Sequence, residues 1–465
     1  MSGLLSALNA GKTSLSTNQK SIEIVGNNIA NVNTEGYSRQ RAELMQIPAV
    51  NFGDFFVGQG VTVSNVRRDH DIFITRQLQE KSIAYGEESG RSVPMQELER
   101  IFSISDENLA SSIDQFFDAW QKLSTNPSGQ VERDMVMQRG ELLGKAFKGI
   151  TDELDTVEEN INTKITSKLE GINEQVAEIA RLNDRIYQVE ISGQSANAAR
   201  DQRDLIVKDL SQSLGVQTYT DNHGMLAVQL PGGLPLVQGT KAMTIEPVTN
   251  GTRVDLQVRI AGSVKELHLK ELGGEFRGMF ETRDVFMQGL RDDLDNLAVE
   301  LTQAVNDVHT SGYGLDGTTT QRLFFDDLAG PPVVANAARH VRVALTSSDQ
   351  VAAATEGPAE PGDNRNALAI GELESTYRVG GTDSFDNVFA RMVSKVGIEA
   401  SRNKLALNGA QDAVVQLQNM RDGYAGVSLE EEMIDLIQFQ RGFESSAKFL
   451  ATIDEMMGSL LELKR

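Results

Sequence analysis

The sequence predicts a mainly α protein with inserted β structure: long coiled-coil helices at both termini, an elongated helical bundle, and a small β domain. Three observations carry this prediction. Leu8, Leu15, Ile22 and Ile29 near one end, and Leu436, Phe443, Leu450 and Met457 near the other, recur every seven residues, the period of a coiled-coil seam. From Ile150 to Val189 apolar residues fall three and four apart, the spacing of one long rod-like helix. Between about 216 and 271 the period drops to two, as in strands.

At the N-terminus, Leu4 and Val25 take complementary seam positions, while Gly11 and Asn18 interrupt the seam, so its pairing is specified more than maximised. The helix should span about 43 Å and its C-terminal counterpart about 50 Å. By composition alone Asn27 to Gln40 is a loop, rich in Asn, Thr and Gly. Val61 to Val66 alternates like a short strand, and Asp69 or Asp71 can cap the helix after it. Ile113, Phe116, Phe117, Trp120 and Leu123 make one apolar helical face, with Trp120, the one tryptophan, expected in the core.

The rod-like helix carries Leu154, Val157, Ile161, Ile165, Leu169, Ile172, Val176, Ile179, Leu182 and Ile186. Leu290, Leu294, Leu297, Leu301, Val305 and Val308 mark another helix, and Val388 to Tyr424, with Met392, Val396, Leu417 and Met420, a further one. Such helices from separated segments should pack as one elongated bundle. Met225 to Leu230, Val254 to Ile260 after the turn pair Asn250-Gly251, and Val264 to Leu269 read as strands. Arg339 to Leu345 reads as another that should add to the same sheet, and 355–364 as a connecting loop.

In the C-terminal helix, Ser428 with Glu431 forms a capping-box pattern, and Glu430, Glu431 and Glu432 suit the positive end of a helix dipole. Met433, Ala447 and Leu461 flank the seam; Phe439, Ile453 and Leu460 form a neighbouring row that Phe449 and Met456 widen. The apolar arc covers roughly 200°, more than one docking surface requires. This helix should therefore be enclosed by several neighbours. The resulting division is a terminal coiled-coil domain (1–33 and 428–465), an elongated helical domain (34–215, 272–312 and 366–427), and a β-rich outer domain with connecting loops (216–271 and 313–365).

Composition narrows the function classes. A net charge of −22 argues against nucleic-acid binding through bulk electrostatics. There is no cysteine for disulfides or thiolate metal sites, no run of 18 apolar residues to insert in a membrane, and no ordinary secretory signal. His70, His223, His268, His309 and His340 show no ligand spacing; Gly58-x-Gly60 lacks a third glycine, with Val63 in its place; Leu315-Asp316-Gly317 lacks the acids of a calcium loop. No nucleophile elbow or phosphate loop occurs. No catalytic, cofactor-binding or metal residue is assigned, and neither an enzyme nor a cofactor is expected.

One pattern is far more specific than composition. Asn27-Asn28-Ile29-Ala30-Asn31-x-Asn33-Thr34-x-Gly36-Tyr37 resembles the N-terminal motif shared by axial proteins of the bacterial flagellum, and its continuation Ser38-Arg39-Gln40 resembles the FlgK family of hook-associated proteins more than rod or hook proteins. Glu431-Glu432-Met433, Gln440 to Phe443 and Ile453 to Met456 resemble the matching C-terminal motif. Val57 to Val63 with Arg67-Arg68 and Phe73 to Leu78, and Asp201-Gln202-Arg203-Asp204-Leu205, match the family too. The resemblance fades in about 216–271 and 313–365. Gly442 and Phe443 depart from the family, which usually has alanine and often tyrosine there.

The resemblance implies a structural, non-enzymatic axial component that forms the junction between hook and filament by self-assembly through its terminal helices. The residues expected to carry assembly are Leu8, Leu15, Ile22, Asn27, Asn28, Ile29, Asn31, Thr34, Gly36 and Tyr37, with Met433, Leu436, Phe439, Phe443, Ala447, Leu450, Ile453, Met457 and Leu460. It further implies export through the flagellar type III apparatus without a cleaved signal peptide, an extracellular location, hook protein on one side, a second hook–filament junction protein on the other, and a chaperone on the C-terminal helix. The alternatives are a hook or rod subunit, whose families have β structure between their terminal helices, and a cytoplasmic enzyme with helical dimerisation arms. Two corollaries are that the terminal helices are largely disordered in the monomer, and that the β insertion is peripheral to assembly.

Overall fold

The computed structural model describes residues 2–51, 56–103, 108–221, 225–260, 262–316, 321–330, 335–356, 362–377 and 379–462. His223, Gly317, the middle of the 355–364 loop and the Leu461 side chain lie outside the described residues. The architecture is mainly α with inserted β, as the periodicities predicted.

The body is organised around α4 (Gln130–Ile191), whose 62 residues reach about 93 Å. It begins well before Ile150 because Arg133, Gly140 and Gly144 occupy buried positions in its first turns and hide the apolar spacing. Arg133 is tolerated there because its guanidinium donates to the carbonyls of Pro127 and Val351. Against α4 lie α3 (Leu109–Thr125) and α7 (Gln288–His309), and α8 (Arg365–Thr376) packs on α3 and α7. All five apolar residues predicted on α3 are fully buried, and Trp120 meets Phe116, Phe324 and His309 edge-on.

Alongside run α2 (Ile72–Ile101) and α9 (Phe385–Ala425). Phe102 beyond the end of α2 meets Phe389, and Asn403 bonds Glu88, so the two helices are antiparallel. Asp71 caps α2 by accepting from the amides of Phe73 and Ile74; Asp69 instead pairs with Arg41. α5 (Asn197–Leu214) and α6 (Gly274–Glu281) close the group. A π-helical turn, Thr282–Met287, joins α6 to α7 and buries Arg283, which bonds Asn162 and the Val254 carbonyl.

The β insertion forms two antiparallel sheets. One has strand order β5 (Gln217–Thr220), β6 (Leu226–Gln229), β7 (Pro235–Gln238), β8 (Lys241–Ala242); the other has β9 (Thr244–Asn250) and β11 (Ser263–Leu267) flanking β10 (Arg253–Ile260). Both lie along α4, and three asparagines of that helix pin them. Asn162 bonds Thr252 and Val254, Asn173 bonds both backbone groups of Ile245, and Asn183 bonds the carbonyls of Leu226 and Gly239. Val228, Leu236, Ile245, Leu256 and Val258 continue the core of the helices. The insertion thus has no core of its own. Replacing residues 217–267 by a Gly/Ser join should lower the melting temperature of the body, since it uncovers apolar surface on α4 and orphans the three asparagines. An unchanged melting curve would show that the sheets add nothing to the body.

Arg339 to Leu345 does not join those sheets. Ala337–His340 is a 3-10 turn, and Val343 bridges Phe325 instead. The alternation of Val341, Val343 and Leu345 reflects a ribbon crossing α4 at its glycine notch, where a Cβ on Gly144 would lie 2.3 Å from the Val341 carbonyl. That notch precedes Asn162 by about 27 Å of helix.

Candidate assembly site: the terminal helix pair and its joint

α1 (Ser2–Ala30) and α10 (Leu429–Glu462) pair with each other. Gly11 meets Leu450, the hydroxyls of Ser14 and Ser446 bond at 2.8 Å, Gly442 meets Asn18, and Asn28 bonds Glu432 at 2.9 Å. One index rises as the other falls, so the pair is antiparallel. The supposed interruptions of the seam are its points of closest approach. A Cβ on Gly11 would stand 2.8 Å from Leu450 Cδ2, and one on Gly442 2.6 Å from Asn18 Oδ1. Small residues let the backbones close, and Leu8, Leu15, Ile22 and Ile29 remain only half-buried.

A β-hairpin, β1 (Gln40–Gln46) with β4 (Val61–Arg68), flanks α1. Thr13 and Thr17 donate their hydroxyls to the carbonyls of Gln59 and Val61. Gly60, at φ +91°, lies so close that a Cβ would meet Thr13 Oγ1 at 2.5 Å. On α10, Ile453 is buried and Leu436, Phe439, Phe443, Ala447, Leu450 and Met457 are half-buried. Met433 and Leu460, with Ile434, Ile437, Phe449 and Met456, are apolar residues left exposed around the helix. The pair does not enclose its own apolar surface. In a verified monomer, amides across Leu4–Ile29 and Leu436–Leu460 should therefore exchange fast, because a helix without full tertiary cover is marginal. Slow exchange there would show that pairing alone suffices.

The joint between this pair and the body is polar and buried. Asn28 is 1% exposed. Its amide nitrogen donates to Glu432 and to the Gln40 carbonyl, and its oxygen accepts from the Tyr37 hydroxyl and the Gln40 amide. Asn31 donates to Asn27 and accepts from Thr34, closing the helix end, and Gly36 turns the chain at φ +81° over Leu205 of α5. Arg39 then reaches three acids of α10: Glu431 at 2.5 Å, Glu432 at 2.6 Å and Asp435 at 3.1 Å. Glu431 thus serves Arg39 rather than the capping box with Ser428. The Ser38 amide donates to Asp201, and Arg68 of β4 holds Asp201 at 2.6 Å and Asp204 at 2.7 Å.

At Tyr37 charge and burial act in the same direction, and at Arg39 they oppose. Burial, then Asp201 and Glu432, push the Tyr37 hydroxyl up to about 12. Burial works against the Arg39 charge, but Glu432 and Glu431 outweigh it and hold the group above its ordinary value. Burial, and then Arg68, depress His70.

Elsewhere the titratable groups are structural. His309, 1% exposed, bonds the Arg322 carbonyl through Nδ1 and accepts the Ala352 amide at Nε2, which fixes it as a neutral Nδ1–H imidazole. Burial pushes it down to about 4, against the Arg322 bond and with help from Arg133 and Arg322. Its folded value lies below its unfolded one, so its contribution is present above about pH 6.5 and is lost as pH falls towards 4. Wild type should lose about 3 kcal/mol more than His309→Asn over that window in urea unfolding. Superimposable profiles would rule the imidazole out as the acid-sensitive group. Asp114, Glu374 and Asp386 bring three carboxylates within 4.8 Å, and burial, then Asp114, raises Asp386 to about 7.

Among the expected assembly residues, Asn28, Gly36 and Tyr37 enter the joint directly, whereas Asn27, Asn31 and Thr34 brace the end of α1. Arg39, Arg68, Asp201, Glu431, Glu432 and Asp435 belong to the joint but were not among the expected assembly residues. All but Asp435 lie in sequence blocks that carry the family resemblance.

The comparisons with known proteins follow the same division. The model of the flagellar hook-associated protein FlgK helical domain matches residues 95–324. Two rod-protein models match the ends: flagella basal body rod protein at 8–37, and flagellar basal body rod FlgEFG protein C-terminal at 424–463. Flagellar hook-associated protein 1 of Escherichia coli K12 is 26% identical over 546 residues, covering 99% of this chain and 100% of that protein. Its Bacillus subtilis 168 counterpart is 27% identical over 508 residues, covering 99% and 98%. The solved flagellar hook junction protein FlgK from Burkholderia pseudomallei shares the fold, with a TM-score of 0.65 at 17% identity over 76% of this chain and 100% of that one. Rod-type ends around a FlgK-type helical middle, matched along the whole length of both relatives, place the chain in the FlgK family of flagellar hook-associated proteins.

Proposed function

We propose that this chain is a structural axial subunit of the bacterial flagellum that forms the junction between hook and filament, assembling through its paired terminal helices. The observation that carries this reading is the joint: sequence blocks hundreds of residues apart converge to fix one helix pair on the body, while large apolar side chains around that pair stay exposed. Exposed apolar surface of that kind is an interface awaiting partners. In this reading copies of the chain pack their terminal helices into an inner layer, with hook protein on one side and a second junction protein on the other. An export chaperone shields α10 before assembly, and the chain leaves through the flagellar type III apparatus without a cleaved signal, to end outside the cell. No helix of the described residues is long and apolar enough to cross a membrane.

The test is fractionation. Sheared, washed flagella should contain the chain in stoichiometric, low copy number beside hook and filament subunits. Recovery from the cell lysate alone would overturn the reading.

A further inference from the structure

At the C-terminal end of α4 a pocket of about 220 Å³ opens against α5 and the start of β6, lined by Asn183, Ile186, Tyr187, Glu190, Ile191, Arg203 and Met225, with the Glu190 carboxylate on its wall already neutralised by Arg200. Arg203 at its wall is only 5% exposed. Its Nη1 donates to Asn183 Oδ1 at 2.9 Å, while its Nε is buried and donates to nothing among the described residues. Asn183 has no freedom to do otherwise, since its amide nitrogen is spent on the carbonyls of Leu226 and Gly239.

The nearby carboxylates are committed elsewhere. Arg200 grips Glu190 with two bonds, at 2.7 and 2.8 Å, and Arg68 holds both Asp201 and Asp204. Arg203 therefore keeps one edge, Nε and the second amino group, unpartnered among the described residues, with Nε itself closed off from solvent by its neighbours. Burial depresses its pKa, with Asp204 opposing and Arg200 and Arg68 assisting. A buried cation left this way is costly unless an anion completes it. The lip of the pocket is apolar: Ile191 is 68% exposed and Tyr187 40%.

We propose that this pocket is a socket for a carboxylate on a short aliphatic stem. A small shift of the Arg203 side chain towards the pocket opens its unpartnered edge, which then takes the carboxylate through two parallel hydrogen bonds, the geometry a guanidinium favours. Ile186, Ile191 and Met225 receive the stem. The carboxylate comes either from a free aliphatic acid or from an acidic side chain of a second copy of this chain. Only the second source rests on the assembly reading above.

Melting of the isolated full-length chain in sodium butyrate, against sodium chloride at equal ionic strength, tests the socket. Wild type should gain melting temperature with butyrate, and Arg203→Met should respond on the order of tenfold less. Without butyrate the methionine variant removes a buried charge but orphans Asn183 Oδ1, so each variant's butyrate response is read against its own melting in chloride. Should that variant fail to fold, Arg203→Lys keeps the charge but loses the two-toothed edge, and its butyrate response should fall likewise. A wild-type response no larger in butyrate than in chloride, or an equal response in the variants, overturns the proposal. Polymerisation of the purified chain then separates the sources. Inhibition by butyrate together with poor assembly of Arg203→Met identifies a second copy as donor; unaffected assembly identifies the free acid. If wild type does not polymerise at all, the assembly reading is what suffers, and the melting comparison still decides the socket.

Discussion

Replacing Phe443 and Leu450 together with aspartate is expected to leave the melting of the helical body unchanged and to abolish incorporation of the chain into the flagellum. Leu450 packs over Gly11, and Phe443 is half-buried beside the Gly442–Asn18 contact. Each lost apolar contact removes about 1.5–3 kcal/mol, and each aspartate places a charge in an apolar interface. The body should not register this, since its continuous core runs from Met95 to Ala400 and includes no residue of α1 or α10. Replacing Ser445 and Thr452 with aspartate alters the same helix at exposed positions and should be far milder. The readout is swimming and filament attachment in strains that export both variants equally. Equal attachment would mean that the α1–α10 contact does not carry assembly.

How much of this was legible depends on whether an element speaks through its own period. α7, β10 and the regular part of α4 bury every third or fourth residue, or every second, and the sequence displays that directly. The start of α4 was hidden because glycines and an arginine fill its buried positions, where a crossing ribbon demands space and stray carbonyls demand a donor. Asn162, Asn173 and Asn183 were invisible for the same reason: each looks like a break in an apolar row, yet each is what ties a strand to the helix. In the terminal pair the heptad residues located the helices, while the glycine, serine and asparagine between them make the closest contacts. The Asn-rich loop declared its importance only as a pattern. That Arg39 meets Glu431, Glu432 and Asp435 is a tertiary fact across nearly the whole chain, and no local period encodes it.

The second large effect lies where α2 crosses α5 and α6. A Cβ on Gly86 would stand 1.9 Å from the Gln212 carbonyl oxygen, and one on Gly90 2.2 Å from that of Glu275. Reciprocally, one on Gly278 would stand 2.1 Å from the Glu87 oxygen. These obstacles are backbone atoms, so no flexible side chain can give way. Gly86→Ala with Gly90→Ala should therefore cost about 3–5 kcal/mol of stability in urea unfolding, against a helix-propensity gain of about 1 kcal/mol per site. Gly149 and Gly171 of α4 supply the opposite case, for nothing lies within 4 Å of a Cβ at either. Alanine at those two positions should stabilise by up to about 1 kcal/mol each. The glycine crossing also has a functional reach. α2 starts just after Arg68 and so connects the joint to the core; forcing it outward should shift the anchor of the terminal pair. Hence the Gly86/Gly90 variant should attach filaments poorly even at temperatures where its body remains folded. If it instead proves as stable as the Gly149/Gly171 variant, α2 does not cross α5 and α6 at backbone distance.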